Sequence, residues 1–133
     1  MPCLTLKLAG QSSAAICEAV ARTLTDLTAE LLGKQQELTA VLVETLPRSQ
    51  WFVNACSLEA RGTTSFCLDI AITSGTNTKQ QKAAYIRNVF RAMTELLGEL
   101  DQASYIIIRE MSADAWGYQG MTQEYRFVAA QSL

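Results

Sequence analysis

Histidine is absent from this 133-residue sequence, proline occurs only twice, and no apolar stretch approaches the length of a membrane span. Without histidine, an imidazole base and imidazole metal ligands are excluded. A transmembrane helix needs about 20 consecutive apolar residues, and a signal peptide needs a basic segment before an apolar one; neither pattern occurs here. We therefore expect a cytoplasmic protein whose chemistry depends on other groups.

Charged residues are also sparse, at 18%, with 11 basic and 13 acidic side chains and a net charge of −2. Nucleic acids and membrane surfaces are bound by clustered Lys and Arg, and this sequence has no such run. These observations argue against nucleic-acid and membrane partners, and they favour a small ligand that is neutral or carries one negative charge.

The four cysteines show neither the spacing of a redox CxxC pair nor that of a zinc site. They are Cys3, Cys17, Cys56 and Cys67. We interpret them as reduced thiols that serve as small apolar side chains, as is usual in cytosolic proteins.

Two copies of one pattern fill most of the chain. The segment LTLKL at 4–8 corresponds to LDIAI at 68–72, an offset of 64 residues. The segment ELLG at 30–33 corresponds to ELLG at 95–98, and Trp51 corresponds to Trp116, both with an offset of 65. The copies therefore stay in register apart from one inserted residue.

In the first copy, alternation at Leu4, Leu6 and Leu8 predicts a strand with one packed face. An apolar stripe then predicts a helix that begins after Ser12 or Ser13 and ends at Gly33. The stripe consists of Ile16, Val20, Leu24, Leu27 and Leu31. A second strand is expected over residues 40–43.

The second copy repeats this order, with a strand at 68–72 and a returning strand at 105–109. Thr78 and Gln81 have the spacing of a capping box, and Gly98 ends the helix between these strands. We expect its buried stripe to consist of Ile86, Val89, Phe90, Met93 and Leu97. A short strand is also predicted near the C-terminus, at 125–128.

Each copy is thus a βαβ unit, and two units predict one α/β domain over residues 1–133, an α+β sandwich whose four-stranded mixed sheet carries two helices on one face. We place the first repeat at 2–55, a linker at 57–64, the second repeat at 66–120 and the C-terminal strand at 125–129. The apolar run 106–108 is typical of a strand buried on both faces, yet one chain has nothing to cover the second face. We therefore expect a homo-oligomer that stacks its open sheet faces.

Pro2 precedes the first strand. Removal of Met1 would leave its nitrogen as a secondary amine, and an amino terminus titrates near pH 8, which suits a general base. The alternative is that Pro2 merely begins a strand, a position that proline tolerates.

The repeat, Pro2 and the tryptophan that follows each returning strand together resemble the tautomerase superfamily. Residues 110–117 are similar to the turn after the returning strand in the 4-oxalocrotonate tautomerase branch. Gly33-Lys34 followed by Ala40-Val41 and Val43 is similar to the macrophage migration inhibitory factor branch. The resemblance covers almost the whole chain and implies a pseudo-twofold axis between the repeats, a trimer, no cofactor, and Pro2 as catalytic base.

The resemblance also implies substrate-binding residues. Lys34 would bind a carboxylate, Tyr105 from a neighbouring subunit would hydrogen-bond an enol oxygen, and Thr73 would contribute a backbone N–H. Trp51 and Trp116 would form an apolar wall, although aromatics after a strand are more often core or interface. Lys34 taken alone is better explained as a solvated residue that interacts with the dipole at a helix C-terminus.

Several positions depart from the family pattern. Gln11 and Thr76 stand where one branch has a catalytic arginine, Ala40 and Tyr105 fill its second arginine position, and Ile107 replaces an asparagine of the other branch. A dicarboxylate held by two arginines is therefore not expected, although Arg109 or Arg61 could serve as anion anchors.

These features predict a keto-enol tautomerase that acts on a small 2-oxo acid or its enol, such as an arylpyruvate, with Pro2 as base. One alternative is a hydratase, dehalogenase or decarboxylase that uses protonated Pro2 and a carboxylate, for which the sequence offers Glu44, Glu110 and Asp114. The other is a trimeric binding protein of the same fold without turnover.

Overall fold

Two βαβ units and two small hairpins make up the described part of the chain, residues 2–10 and 13–131 of a computed structural model. The first unit and its hairpin comprise β1 (Cys3–Ala9), α1 (Ala14–Leu32), β2 (Ala40–Leu46), β3 (Phe52–Val53), β4 (Cys56–Ser57) and α2 (Leu58–Arg61). The second unit and its hairpin comprise β5 (Phe66–Thr73), α3 (Lys79–Leu97), β6 (Tyr105–Met111), β7 (Gly117–Tyr118), β8 (Met121–Thr122) and α4 (Gln123–Ala129). Short 3₁₀ turns lie at Gln36–Leu38 and Arg48–Gln50.

The main sheet has the strand order β2-β1-β5-β6. β1 pairs in parallel with β2, β5 pairs in parallel with β6, and the two central strands are antiparallel, with Cys3 opposite Ala71. The predicted fold class, two βαβ units that share a four-stranded mixed sheet, is confirmed.

Local capping explains where the long helices begin and end. Ser13 accepts a hydrogen bond from the Ile16 N–H at 3.2 Å, and Gly33 ends α1 with a positive φ of 71°. Thr78 and Gln81 form the predicted capping box of α3. The predicted alternative cap Ser12, like Gln11, lies outside the described residues.

The prediction of a strand at 125–128 is wrong, because this segment lies in α4. Tyr125 and Phe127 alternate with polar neighbours, but Thr122 caps a helix by accepting a hydrogen bond from the Tyr125 N–H at 2.9 Å. The first copy has the same device, since Ser57 caps α2 within the segment that was predicted as a linker.

The core lies between the helices and one face of the sheet. Its buried members include Leu4, Leu6, Leu8, Val20, Leu24, Leu32, Leu68, Ile70, Ile72, Tyr85, Val89 and Met93. The predicted stripe of α3 is partly wrong, since Ile86 and Phe90 are 40% and 36% exposed. Tyr85 is fully buried instead, because its hydroxyl has a partner on α1.

That partner is Thr28, whose hydroxyl lies 2.8 Å from the Tyr85 hydroxyl and also donates to the Leu24 carbonyl at 2.6 Å. Tyr85 is therefore the donor of the first bond. Burial raises the pKa of Tyr85 to about 12. The phenol thus stays neutral at physiological pH.

Thr28→Val is expected to lower the free energy of unfolding by about 1 to 3 kcal/mol, because it leaves the buried Tyr85 hydroxyl without an acceptor. Tyr85→Phe should cost less, since Thr28 keeps its bond to the backbone. Urea unfolding of both variants and of the double variant checks this. A larger loss for Tyr85→Phe than for Thr28→Val would contradict the assigned donor.

The sheet face away from the helices is open and of mixed polarity. Lys7, Leu42, Tyr105, Ile107 and Arg109 are exposed on it. Arg109 forms an ion pair with Asp69, whose hydrogen bond raises the pKa of the guanidinium. This face is therefore less apolar than the isoleucine run alone suggests.

Within residues 2–10 and 13–131, no helix combines the length and the apolar character that crossing a membrane requires.

Candidate functional site

A cavity of about 790 Å³ lies at the end of the sheet where β5 stops. Three parts of the chain line it: the segment after α1, with Lys34; the end of β5 and the turn after it, with Thr73 and Thr76; and Tyr118 together with residues of α4.

Lys34 lies in this cavity because Gly33, in the left-handed conformation, turns the chain away from the helix axis. Its Nζ donates to Thr76 Oγ1 at 3.0 Å, and Thr76 Oγ1 donates to the Thr73 carbonyl at 2.6 Å. Burial lowers the pKa of the Lys34 ammonium below its ordinary value of 10.5. The chain supplies no carboxylate partner for it among the described residues.

Pro2 is buried at the start of β1, and its carbonyl accepts a hydrogen bond from the Ala40 N–H at 3.4 Å. Since β1 and β5 are antiparallel, Pro2 lies at the same end of the sheet as Thr73. It does not line the cavity itself. Met1 lies outside the described residues.

Trp116 contacts Thr73, which lines the cavity, although Trp116 does not line it. The indole Nε1 of half-buried Trp116 donates to Thr73 Oγ1 at 3.2 Å, which holds the turn before β7 against the end of β5. The Trp116 carbonyl accepts from the Gln123 N–H at 2.9 Å and so fixes the start of α4. Trp51 makes the equivalent bond with Leu58 in the first copy, at the other hairpin.

Three predicted site residues lie away from this cavity within the chain: Trp51 at the first hairpin, Tyr105 and Arg109. Tyr105 is 62% exposed and pairs with Cys67 at the start of β5, six residues of strand from Thr73 or roughly 20 Å. Arg109 lies on the open face beside Asp69. Only another subunit could bring Tyr105 near Lys34.

The remaining ionisable residues that the sequence offered for the site either form an ion pair or are exposed to solvent. Arg61 Nε donates to Asp101 Oδ2 at 2.8 Å, and a bond from the Ala103 N–H together with Arg61 holds the pKa of Asp101 below its ordinary value. Glu110 pairs with Lys82 at 3.2 Å. Glu44 and Asp114 are exposed.

Sequence analysis missed three polar residues of the cavity wall, Gln123, Glu124 and Arg126, all on α4. The Arg126 guanidinium lies 3.7 Å from the centre of the Tyr118 ring and donates to the Tyr118 carbonyl at 3.2 Å. The 65-residue offset, which aligns Arg126 with Arg61, is the signal that could have drawn attention to it.

In the part of the chain that the structure describes, no group of three or more His, Cys, Asp or Glu side chains is arranged so that it could hold a metal ion.

Comparison with known families matches residues 67–124 to the family described as tautomerase enzyme. No curated protein matches the sequence significantly. Among solved structures, the fused 4-OT wild type symmetric trimer is similar at 17% identity and a TM-score of 0.79, over 97% of this chain and 99% of that one.

Two further solved structures are similar over nearly their whole length. Pt0534 inactivated by 2-oxo-3-pentynoate matches at 15% identity and a TM-score of 0.82, over 93% of this chain and 98% of that one. A macrophage migration inhibitory factor-like protein from Entamoeba histolytica matches at 21% identity and a TM-score of 0.74, over 91% and 97%.

The resemblance to the tautomerase superfamily that the sequence predicts is therefore confirmed. The family match lies in the second repeat, and the likeness of fold extends over both repeats. This superfamily contains enzymes, and the fused 4-OT proteins in it form trimers.

The lowered pKa of Lys34 predicts how anion binding depends on pH. If Lys34 binds a small carboxylate such as 2-oxobutanoate, the carboxylate pairs with the protonated ammonium, so its affinity should fall as pH rises through the lowered pKa of Lys34. Arg126 and Glu124 are the other charged groups among the described residues that line the cavity. Calorimetric titration between pH 7 and about 10 checks this, and Lys34→Gln should bind weakly with no such fall. An affinity that increased with pH would contradict this assignment.

Proposed function

We propose that this protein is a keto-enol tautomerase that acts on small 2-oxo acids or their enols, with the nitrogen of Pro2 as the base. The observation that carries the proposal is a half-buried Lys34 ammonium that has no carboxylate partner among the described residues, in a cavity at the same end of the sheet as Pro2. The tautomerase family match supports the same class of reaction.

In this reaction the unprotonated Pro2 nitrogen takes a proton from C3 of the 2-oxo acid, and the C3–H electron pair forms the C2–C3 double bond of the enol. The π electron pair of the C2 carbonyl moves to its oxygen, which takes a proton from solvent water, and protonated Pro2 gives the proton that it gained back to solvent. Lys34 pairs with the substrate carboxylate and fixes its position. For an enol substrate the same steps run in reverse, and protonated Pro2 returns the proton to C3.

We further propose that the protein is a homotrimer in which the Tyr105 hydroxyl of a neighbouring subunit donates to the oxygen at C2. Three observations support this. The similar fused 4-OT protein is a trimer, the sheet face that carries Tyr105 is open, and Tyr105 lies too far from Lys34 within one chain.

The test is the ultraviolet assay of phenylenolpyruvate, with protein whose mass shows that Met1 has been removed. Lys34→Gln is expected to lower kcat/KM by about 10- to 100-fold, because a charged hydrogen bond contributes about 1.5 to 3 kcal/mol. Lys79→Gln, which removes an exposed lysine from the start of α3, is the charge-matched control and should leave the rate unchanged.

Turnover no faster than in buffer, together with measurable binding of a 2-oxo acid, would overturn the proposal in favour of a binding protein. A hydrated or decarboxylated product would favour the chemistry of protonated Pro2.

A further inference from the structure

The internal repeat gives the cavity a counterpart in the same chain. A smaller cavity of about 450 Å³ is lined by Val53, Arg61, Leu100 and Ala103, among others. With the 65-residue offset these positions correspond to Tyr118, Arg126, Gln35 and Leu38, which line the cavity that contains Lys34. The two cavities are therefore equivalent places in the two halves of the fold.

Their charges differ. In the smaller cavity, Arg61 is neutralised by Asp101, which also accepts a bond from Thr63 at 3.1 Å. The position that corresponds to Asp101 is Gln36, which does not line the larger cavity and donates to Asp26 Oδ1 at 3.1 Å. The carboxylate that neutralises Arg61 thus has no counterpart beside Arg126.

Arg126 consequently has no ion-pair partner within residues 2–10 and 13–131. Its NH2 group donates to the Tyr118 carbonyl and to Gln119 Oε1, at 3.2 and 3.0 Å. Its Nε is buried without a hydrogen-bond partner, and so is Nε2 of Gln123 one turn earlier on α4. Both residues line the cavity.

Buried donors without acceptors are rare in folded proteins, because each one loses its bonds to water. Here one such donor belongs to the Arg126 guanidinium and the other to the Gln123 amide, and both residues line the same cavity as the partly desolvated Lys34. Glu124 is the single acid of the cavity, so Lys34 and Arg126 leave it with a net positive charge.

We propose that Arg126 and Gln123 form a second anion subsite, which binds an oxygen-bearing group at the far end of the substrate while Lys34 binds the carboxylate next to the reacting carbon. This inference deepens the proposed function and depends on it for the role of Lys34. The anchor proposed here is Arg126, whereas sequence analysis offered Arg109 and Arg61, both of which pair with a carboxylate in the structure.

The test compares two ligands of equal length, 2-oxopentanedioate and 2-oxopentanoate, which differ by one carboxylate. Calorimetry should show that wild-type protein prefers the dicarboxylate, and that Arg126→Gln weakens it by about 10- to 100-fold while it changes the affinity for 2-oxopentanoate by less than about threefold. Arg91→Gln, on the exposed side of α3, controls for long-range charge and should change neither affinity.

A second variant tests the other donor of the subsite. Gln123→Leu removes the side-chain amide, so it should weaken 2-oxopentanedioate selectively. Thermal melting confirms that each variant is folded.

Equal effects of Arg126→Gln on the two ligands, or an equally large effect of Arg91→Gln, would overturn the second subsite. Selective binding that survives in a protein without tautomerase activity would refute the proposed reaction alone. Activity on phenylenolpyruvate combined with no preference for the dicarboxylate would refute the second subsite alone.

Discussion

Extending the chain by two residues in front of Pro2 is expected to lower kcat/KM for phenylenolpyruvate by about 10²- to 10⁴-fold, the usual contribution of a general base. The extension turns the Pro2 nitrogen into an amide, which has no basic lone pair. The kcat/KM of Pro2→Ala should lie between that of the extended protein and that of the wild type, since this variant keeps an amine but loses the ring that fixes the direction of the lone pair.

The matched control for this experiment is the same two-residue extension at the C-terminus, which adds equal mass and leaves Pro2 free. It is expected to retain wild-type activity. Equal activity of the two extended proteins would show that another group is the base.

The second large effect concerns the sharing of the site between subunits. Tyr105→Phe removes the proposed hydrogen bond to the enol oxygen and is expected to lower kcat by about 10²- to 10³-fold, as does the loss of other donors to a developing oxyanion. If Pro2 and Tyr105 of one site come from different subunits, trimers assembled from both mutant chains contain some intact sites.

Co-expression of Pro2→Ala and Tyr105→Phe chains, each with its own C-terminal tag, should therefore recover activity that neither homotrimer has. Random assembly from equal amounts places intact Pro2 and intact Tyr105 together in about one quarter of the sites. Activity of the mixed trimers no higher than the mean of the two single variants would show that Tyr105 does not act across a subunit boundary.

Sequence was sufficient for the two βαβ units because their signals are local. Ser13, Gly33 and the capping box of Thr78 and Gln81 fix the helix ends through bonds within four residues along the chain. The alternation at 4–8 and 68–72 likewise reports which face of each strand is buried. Such patterns need no knowledge of distant residues.

Errors arose where a distant or competing contact decides the outcome. Tyr85 is buried and its neighbour Ile86 is exposed. The buried Tyr85 hydroxyl needs a hydrogen-bond partner, and that partner, Thr28, lies 57 positions earlier in the chain, where a local pattern does not reveal it. Residues 125–128 were misassigned because the alternation of Tyr125 and Phe127 also fits a helix once Thr122 caps it.

The candidate site was predicted only in part for the same reason. Lys34 was found from its place beside Gly33, and Trp116 from the repeat. Arg61 and Arg126 occupy equivalent positions, yet which of them is neutralised depends on Asp101, forty residues from Arg61 in the chain. That difference becomes visible only when the two cavities are compared in three dimensions.

The most direct test of Pro2 as the reactive amine is labelling with 2-oxo-3-pentynoate, the compound that inactivates the similar protein Pt0534. Its electrophilic triple bond forms a stable adduct with an unprotonated amine, and a Cys3→Ser background excludes attack by the neighbouring thiol. Peptide mapping by mass spectrometry is expected to find one equivalent of label on Pro2, with a loss of activity that matches the extent of labelling. The rate of labelling should be lower in Lys34→Gln. Label elsewhere with Pro2 unmodified, or an inactive protein whose Pro2 stays unlabelled, would contradict the account.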